Sequence, residues 1–193
     1  GLKLSYLGEE YNYFLMDWYS IPREMSRPVW SEPYYDEGGG NIMMTTFSVP
    51  FYKHAGGKQT FAGVVTADIS LDWLQNIVSG LSISKTGYAF LISQNGVFVS
   101  HPRREWIMRE SIFSIAEANN DPELRNTGRD MVRGASSLIP MKSYFTGKKA
   151  WMYYAPLPST NWSMGLVIPE DELFGSLHTL NKSVFLISAA GIC

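Results

Sequence analysis

Asn95-Gly96 lies between two short β-prone runs, Tyr88 to Ser93 and Val97 to Ser100, and this arrangement constrains the fold more than any other stretch of the chain. An Asn-Gly pair accepts the positive φ angles of a tight hairpin, so the two runs are predicted to fold back on each other. The same rhythm returns downstream. Ser143 to Phe145, a turn at Gly147, Ala150 to Tyr154, a loop over Pro156 to Asn161 and then Trp162 to Ile168 read as strand, turn, strand, loop, strand. Neighbouring strands joined by such short connections form antiparallel sheet, because parallel pairing needs a long crossover. Between hairpin and meander, Ser111 to Asn119 and Pro122 to Arg133 are polar with scattered apolar residues, a pattern that suits helices covering one face of a sheet. The fold class is α+β.

Upstream the pattern repeats. Met43 to Val49 and Phe61 to Ile69 are apolar and β-prone, and Lys53 to Lys58 between them reads as a hairpin-like loop. Leu71, Leu74, Ile77, Val78 and Leu81 then recur at helical spacing, giving a short amphipathic helix that links two modules. The boundary is expected within Ser82 to Lys85, which divides the chain into residues 1–82, 83–168 and 169–193.

The third segment opens on Pro169 followed by Glu170, Asp171 and Glu172. Proline suits the first turn of a helix, and carboxylates there complement the positive end of its dipole. Leu173, Leu177, Leu180 and Val184 continue at helical spacing, and Val184 to Cys193 carries no charge. Crossing a bilayer takes about 20 apolar residues, so this run is read as the first half of a transmembrane helix, with a buried core helix as the alternative.

Several function classes drop out. With 16 basic against 18 acidic side chains the net charge is −2, so no global basic field exists to hold nucleic acid. The single cysteine, Cys193, cannot close a disulfide within the chain, and His54, His101 and His178 show no metal-ligand spacing. Gly56-Gly57-Lys58 lacks the frame of a phosphate loop, and Gly38-Gly39-Gly40 reads as a flexible turn. No catalytic residue, metal or cofactor is expected.

What remains is an aromatic and acidic cluster: Trp18, Tyr19, Trp30, Tyr34, Asp36 and, beyond the hairpin, Asp68. Ring faces attract cations and carboxylates complete the match to an ammonium group, so the cluster suits an amine pocket. The competing reading is that the rings pack a core and the acids cap turns.

The same residues carry a resemblance. Asp17-Trp18-Tyr19, Pro28 to Asp36, Met44 to Pro50 and Gly63 to Ile69 resemble the ligand-binding module of double Cache sensor domains. Thr86 to Ile92, Asn95-Gly96, Ser100-His101-Pro102 and Asn161-Trp162 resemble its membrane-proximal module. The resemblance implies two PAS-like modules in tandem, each an antiparallel sheet flanked by helices, followed by a helix entering the membrane. It further implies the extracytoplasmic, periplasmic part of an inner-membrane bacterial receptor, a homodimer in full-length form, held by flanking transmembrane helices and binding a small molecule. The cytoplasmic output in such receptors is a phosphatase, histidine kinase, chemotaxis or cyclic-dinucleotide module, and the overall character of the sequence inclines towards a serine/threonine phosphatase.

In amino-acid-binding members the pocket resembles Arg-x-Trp-Tyr, Tyr-x-Asp and an aspartate in the last strand of the module. Trp18, Tyr19, Tyr34, Asp36 and Asp68 match, while Met16 stands where the arginine that grips the ligand carboxylate would be. An amine is therefore favoured over an α-amino acid, unless Arg23 or Arg27 holds the carboxylate. A structural or adhesion domain with a vestigial pocket is the alternative function.

Overall fold

The computed structural model describes residues 11–175, which divide between Asn76 and Ile77 into two compact units. The first opens with a single 3-10 turn at Tyr13–Leu15 and helix α1 (Asp17–Met25). Two short strands follow, β1 (Val29–Trp30) and β2 (Tyr34–Tyr35), then the long hairpin of β3 (Met43–Ala55) and β4 (Lys58–Ser70). Both β1 and β2 pair antiparallel with β3, one after the other, while β4 pairs with β3 along almost its whole length. Helix α1 packs on β3 and β4 with Pro22 buried beneath it. The expected loop at Lys53 to Lys58 is in fact strand up to a turn at Gly56-Gly57, both with positive φ. The sequence between these runs is polar because its side chains face solvent, and the ladder needs only backbone groups.

Helix α2 (Leu71–Ser79) follows β4 without a break, burying Leu71, Gln75 and Val78. The second unit contains β5 (Tyr88–Ile92), β6 (Phe98–Ser100), α3 (Ile112–Ala118), α4 (Pro122–Val132), β7 (Ser137–Lys142), β8 (Lys149–Leu157) and β9 (Trp162–Pro169). Its five strands lie in the order β6-β5-β9-β8-β7, every neighbouring pair antiparallel. The core is built from Phe90 and Ile92 of β5, Phe98 of β6, Met152 of β8, and Ile112, Leu124 and Met131 of the two helices. Gly165 of β9 is required by this packing, since a Cβ there would lie 2.3 Å from the Phe90 ring.

Both helices begin as their sequences specify. Ser111 and Ser114 cap α3 reciprocally, each side chain accepting the other's amide, and Asp121 accepts the Leu124 amide at 2.8 Å ahead of Pro122. Two local expectations shift. Between β5 and β6 only Gly96 has positive φ, because Ser93 N–H bonds the Val97 carbonyl and Gly96 N–H the Ser93 carbonyl, a longer connection than a two-residue turn. The first strand of the meander is Ser137–Lys142; Ser143 to Phe145 form the turn that follows, with the Ser143 carbonyl accepting the Gly147 amide.

A further helix, α5 (Glu170–Leu173), starts where β9 ends. The Glu172 carboxylate takes the Thr86 amide at 3.0 Å and the Thr86 hydroxyl at 2.5 Å, which ties α5 to the segment leading into β5. These donors hold the exposed carboxyl down at about 2. The run Val184 to Cys193, expected to enter a membrane, lies outside the described residues; among the described residues no helix is long and apolar enough to cross one.

Candidate functional site

A cleft of about 310 Å³ opens in the first unit, lined by Tyr11, Trp18, Tyr34, Asp36, Gly39, Gly40, Met44, Thr66 and Asp68. Four of the six residues singled out from sequence, Trp18, Tyr34, Asp36 and Asp68, therefore share one cavity. Among the described residues, neither lysine nor arginine is among its walls.

Each acid reaches the cleft by a different route. Asp68 sits on β4 directly opposite Thr46 of β3. The Ser31 amide bonds the Thr46 carbonyl at 2.9 Å and the Ser31 hydroxyl accepts the Thr46 amide at 3.0 Å, so the backbone of Thr46 is engaged on the edge away from β4. Thr46 and Asp68 thus form a non-hydrogen-bonded cross-strand pair, the kind in which side chains approach most closely. The Thr46 hydroxyl donates to Asp68 Oδ1 at 2.8 Å and contacts the Tyr34 hydroxyl at 2.7 Å. Tyr34 is brought there by the pairing of β2 with Met44 of β3, and its hydroxyl also lies 3.2 Å from the Met44 sulfur.

Asp36 follows β2 and begins a tight loop that closes through the Asn41 amide on its own carbonyl. Its Oδ2 accepts the Gly40 amide and its Oδ1 the Tyr11 hydroxyl, the latter at 2.7 Å. A Cβ at Gly39 would lie 2.2 Å from Oδ2, so the glycine run is the collar that lets the backbone wrap this carboxylate. Asp36 is only 8% exposed. Burial, followed by the Asp36 carboxylate, pushes the Tyr11 phenol up to about 12; burial, with the charges of Asp68 and Asp36, does the same to Tyr34. Both phenols keep their protons at neutral pH.

Tyr19 and Trp30 stand apart from the cleft. Helical rotation carries Tyr19 from the Trp18 side onto Tyr13, Phe14 and Phe61, with edge-on contacts at 5.1, 5.3 and 5.9 Å between ring centres. Trp30 pairs with Phe47 across β1 and β3, 5.1 Å between rings, and so lies on the sheet face opposite Thr46. Met16 precedes α1 and is not among the cleft's walls. The Arg23 guanidinium bonds Glu24 at 2.8 Å on the surface, and neither Arg23 nor Arg27 lines the cleft. Tyr11, Gly39, Gly40, Met44 and Thr66 were not singled out from sequence. Tyr11 stood outside the recognised cluster, and Thr66 carries a signal only once β4 is known to alternate with Asp68 on the same face.

His101 belongs to the second unit's interior, not to a reactive centre. It is 2% exposed, is enclosed by Tyr88, Phe90, Phe98, Trp106 and Phe145, and accepts the Arg103 amide on Nδ1 at 2.9 Å. Burial holds its imidazole down at about 3. No group of three or more metal-ligating side chains is found among the described residues.

Comparison with known proteins agrees with this fold. McpG, a methyl-accepting chemotaxis protein of Pseudomonas putida, is 26% identical over 169 residues, covering 88% of this chain and 24% of its own length. The chain spans about a quarter of the length of the chemotaxis relatives it matches. Among solved structures, the extracellular domain of mmHK1S-Z3, assigned as a histidine kinase, is 29% identical with a TM-score of 0.75, covering 88% of this chain and 59% of that one. The ligand-binding domain of the Pseudomonas fluorescens chemoreceptor CtaA, solved with L-serine, is 25% identical with a TM-score of 0.61, covering 87% and 66%. The family model dCache_1, described as a Cache domain, matches residues 3–177, and the chain belongs to that family.

Proposed function

We propose that this chain is the extracytoplasmic ligand-sensing input of a membrane-bound signalling protein and that its first unit binds a small amine-containing molecule in the cleft between Trp18, Tyr34, Asp36 and Asp68. The observation that carries the reading is the convergence of two carboxylates on one aromatic-walled cavity, with no lysine or arginine among its walls in the described residues. Such a cavity suits an ammonium group, which gains charge-assisted hydrogen bonds from the acids and a favourable field from the ring faces. L-serine, found in the CtaA domain, carries the same group. In this reading the module up to residue 82 is membrane-distal, residues 83–168 are membrane-proximal, and the segment from Pro169 leads to an inner-membrane helix of a homodimeric receptor. A displacement passed along that route shifts an output module only as far as the ligand's affinity differs between the receptor's two states.

Calorimetric titration with small mono- and diamines is the test. Binding to the original protein and its abolition in Asp68→Ala are expected. Binding of carboxylates that carry no amine would overturn the reading.

A further inference from the structure

We infer that Thr46 is a positioning residue which, by fixing the direction of a hydrogen-bond relay, makes the cleft select a primary ammonium over its N-methylated homologues. This rests on the amine reading above and adds the feature of the amine that is recognised.

The relay follows from counting protons. Thr46 is 1% exposed, and both its backbone groups are bound by Ser31, so its hydroxyl has little freedom to move. A carboxylate has no proton to give, so at 2.8 Å from Asp68 Oδ1 the Thr46 hydroxyl must donate. Its single proton is then engaged, so the 2.7 Å contact with Tyr34 is made by the Tyr34 proton, in preference to the weakly accepting Met44 sulfur 3.2 Å from the same hydroxyl. The direction is Tyr34 to Thr46 to Asp68. On the other wall, Tyr11 donates to Asp36 at 2.7 Å. Both phenolic protons are thereby engaged within the protein. Towards the ligand, Tyr34 and Asp68 offer lone pairs, Asp36 retains acceptor capacity beyond its two bonds, and Thr66 supplies the remaining side-chain hydroxyl.

A wall so rich in acceptors is satisfied by N–H donors. A primary ammonium brings three, each N-methylation removes one, and a trimethylammonium brings none. Aromatic faces by themselves do not make this distinction, because the ring quadrupole acts on charge whether or not it carries hydrogen. Placing methyl groups against Tyr34 and Asp68 leaves acceptors of the wall without donors, a penalty that reads as roughly tenfold or more in affinity when all three donors are gone.

The experiment titrates n-butylamine, N-methylbutylamine and butyltrimethylammonium into the original domain, Thr46→Val, Thr46→Ser and Tyr34→Phe. The original domain is expected to prefer the primary amine to the quaternary one by at least about tenfold. Thr46→Val should reduce that preference to within roughly threefold, because Tyr34 and Asp68 are free to turn, while Thr46→Ser, which keeps the hydroxyl, should retain it. Tyr34→Phe removes one ligand-facing oxygen without altering the strands and should also lower the preference, which decides the matter should Thr46→Val fail to fold. Equal binding of primary and quaternary amines by the original domain overturns the inference while leaving the amine reading intact, as does an unchanged preference in Thr46→Val or in Tyr34→Phe. Binding of none of the three by the original domain overturns both.

Discussion

A carboxylate that shapes a loop and one that awaits a ligand differ in where their oxygens point, and Asp36 does both. One oxygen holds the Gly40 amide and the other the Tyr11 hydroxyl, yet the group still faces the cleft, whereas Asp68 is tied through Oδ1 to Thr46. In the proposed reading, a ligand carboxylate lacks a cationic partner among the described walls of the cleft. Met16 sits two residues before Trp18 as the N-cap of α1, at the position where the resembling amino-acid-binding pattern carries arginine. Met16→Arg is therefore expected to move preference from amines towards the matching α-amino acids, by about 1.5 to 3 kcal/mol if a charge-assisted pair forms. Titration of both proteins with matched pairs checks this, and an unchanged ratio contradicts it. Which rings join the site was only partly legible from sequence. Trp18 and Tyr19 are neighbours in sequence but diverge by a helical step of roughly 100°, and Trp30 was assigned to the pocket by composition although strand pairing sends it to the other face. Asp36 and Asp68 were legible because motif and strand position agree; Thr46 was not, since an interior strand threonine has the same sequence signature whether it packs or orients a neighbour.

At the scale of elements, the strand endings of the second unit carry its acid sensitivity. His101, just beyond β6, is buried neutral with a folded pKa of about 3 against 6.5 in the open chain. Its contribution to stability is fully present above pH 6.5 and is lost as pH falls towards 3, at up to about 1.4 kcal/mol per pH unit. Glu172 titrates in a different window. Its carboxyl is lowered from 4.5 to about 2, so what it adds is present above pH 4.5 and disappears as pH falls through 2. Denaturant unfolding between pH 7.5 and 5, a window set by those two shifts, should show stability declining with acid and a shallower slope in His101→Leu, with Glu172→Gln leaving the slope as it was. Equal slopes in the original protein and His101→Leu would show that the imidazole is not held neutral. The α3 and α4 boundaries and the β5–β6 and β8–β9 pairings were readable because capping residues, Gly96 and the Pro158 to Asn161 turn mark them locally. The start of the meander was not, since Ser137–Lys142 contains Pro140 and its side chains are alternately half-exposed, features that argue against a strand until its pairing with β8 is known.

For the whole molecule, the α+β class and the two antiparallel sheets were legible because short connections leave few other ways to pair these strands. The length of β3 and β4 was not, because exposed hairpin ends show no apolar alternation. The first unit holds a cleft lined by Trp18, Tyr34, Asp36 and Asp68, and the claim most open to contradiction is that this cleft recognises an amine. A ligand that binds the folded state alone adds about 2.7 kcal/mol to stability at 100 times its dissociation constant. Equilibrium unfolding of the domain in the presence of n-butylamine, with butyrate as the matched anion, therefore tests that claim most directly. Stabilisation that rises and saturates with the amine, is absent with butyrate and is lost in Asp68→Ala is the predicted result. Stabilisation by butyrate, or none by the amine, would contradict it.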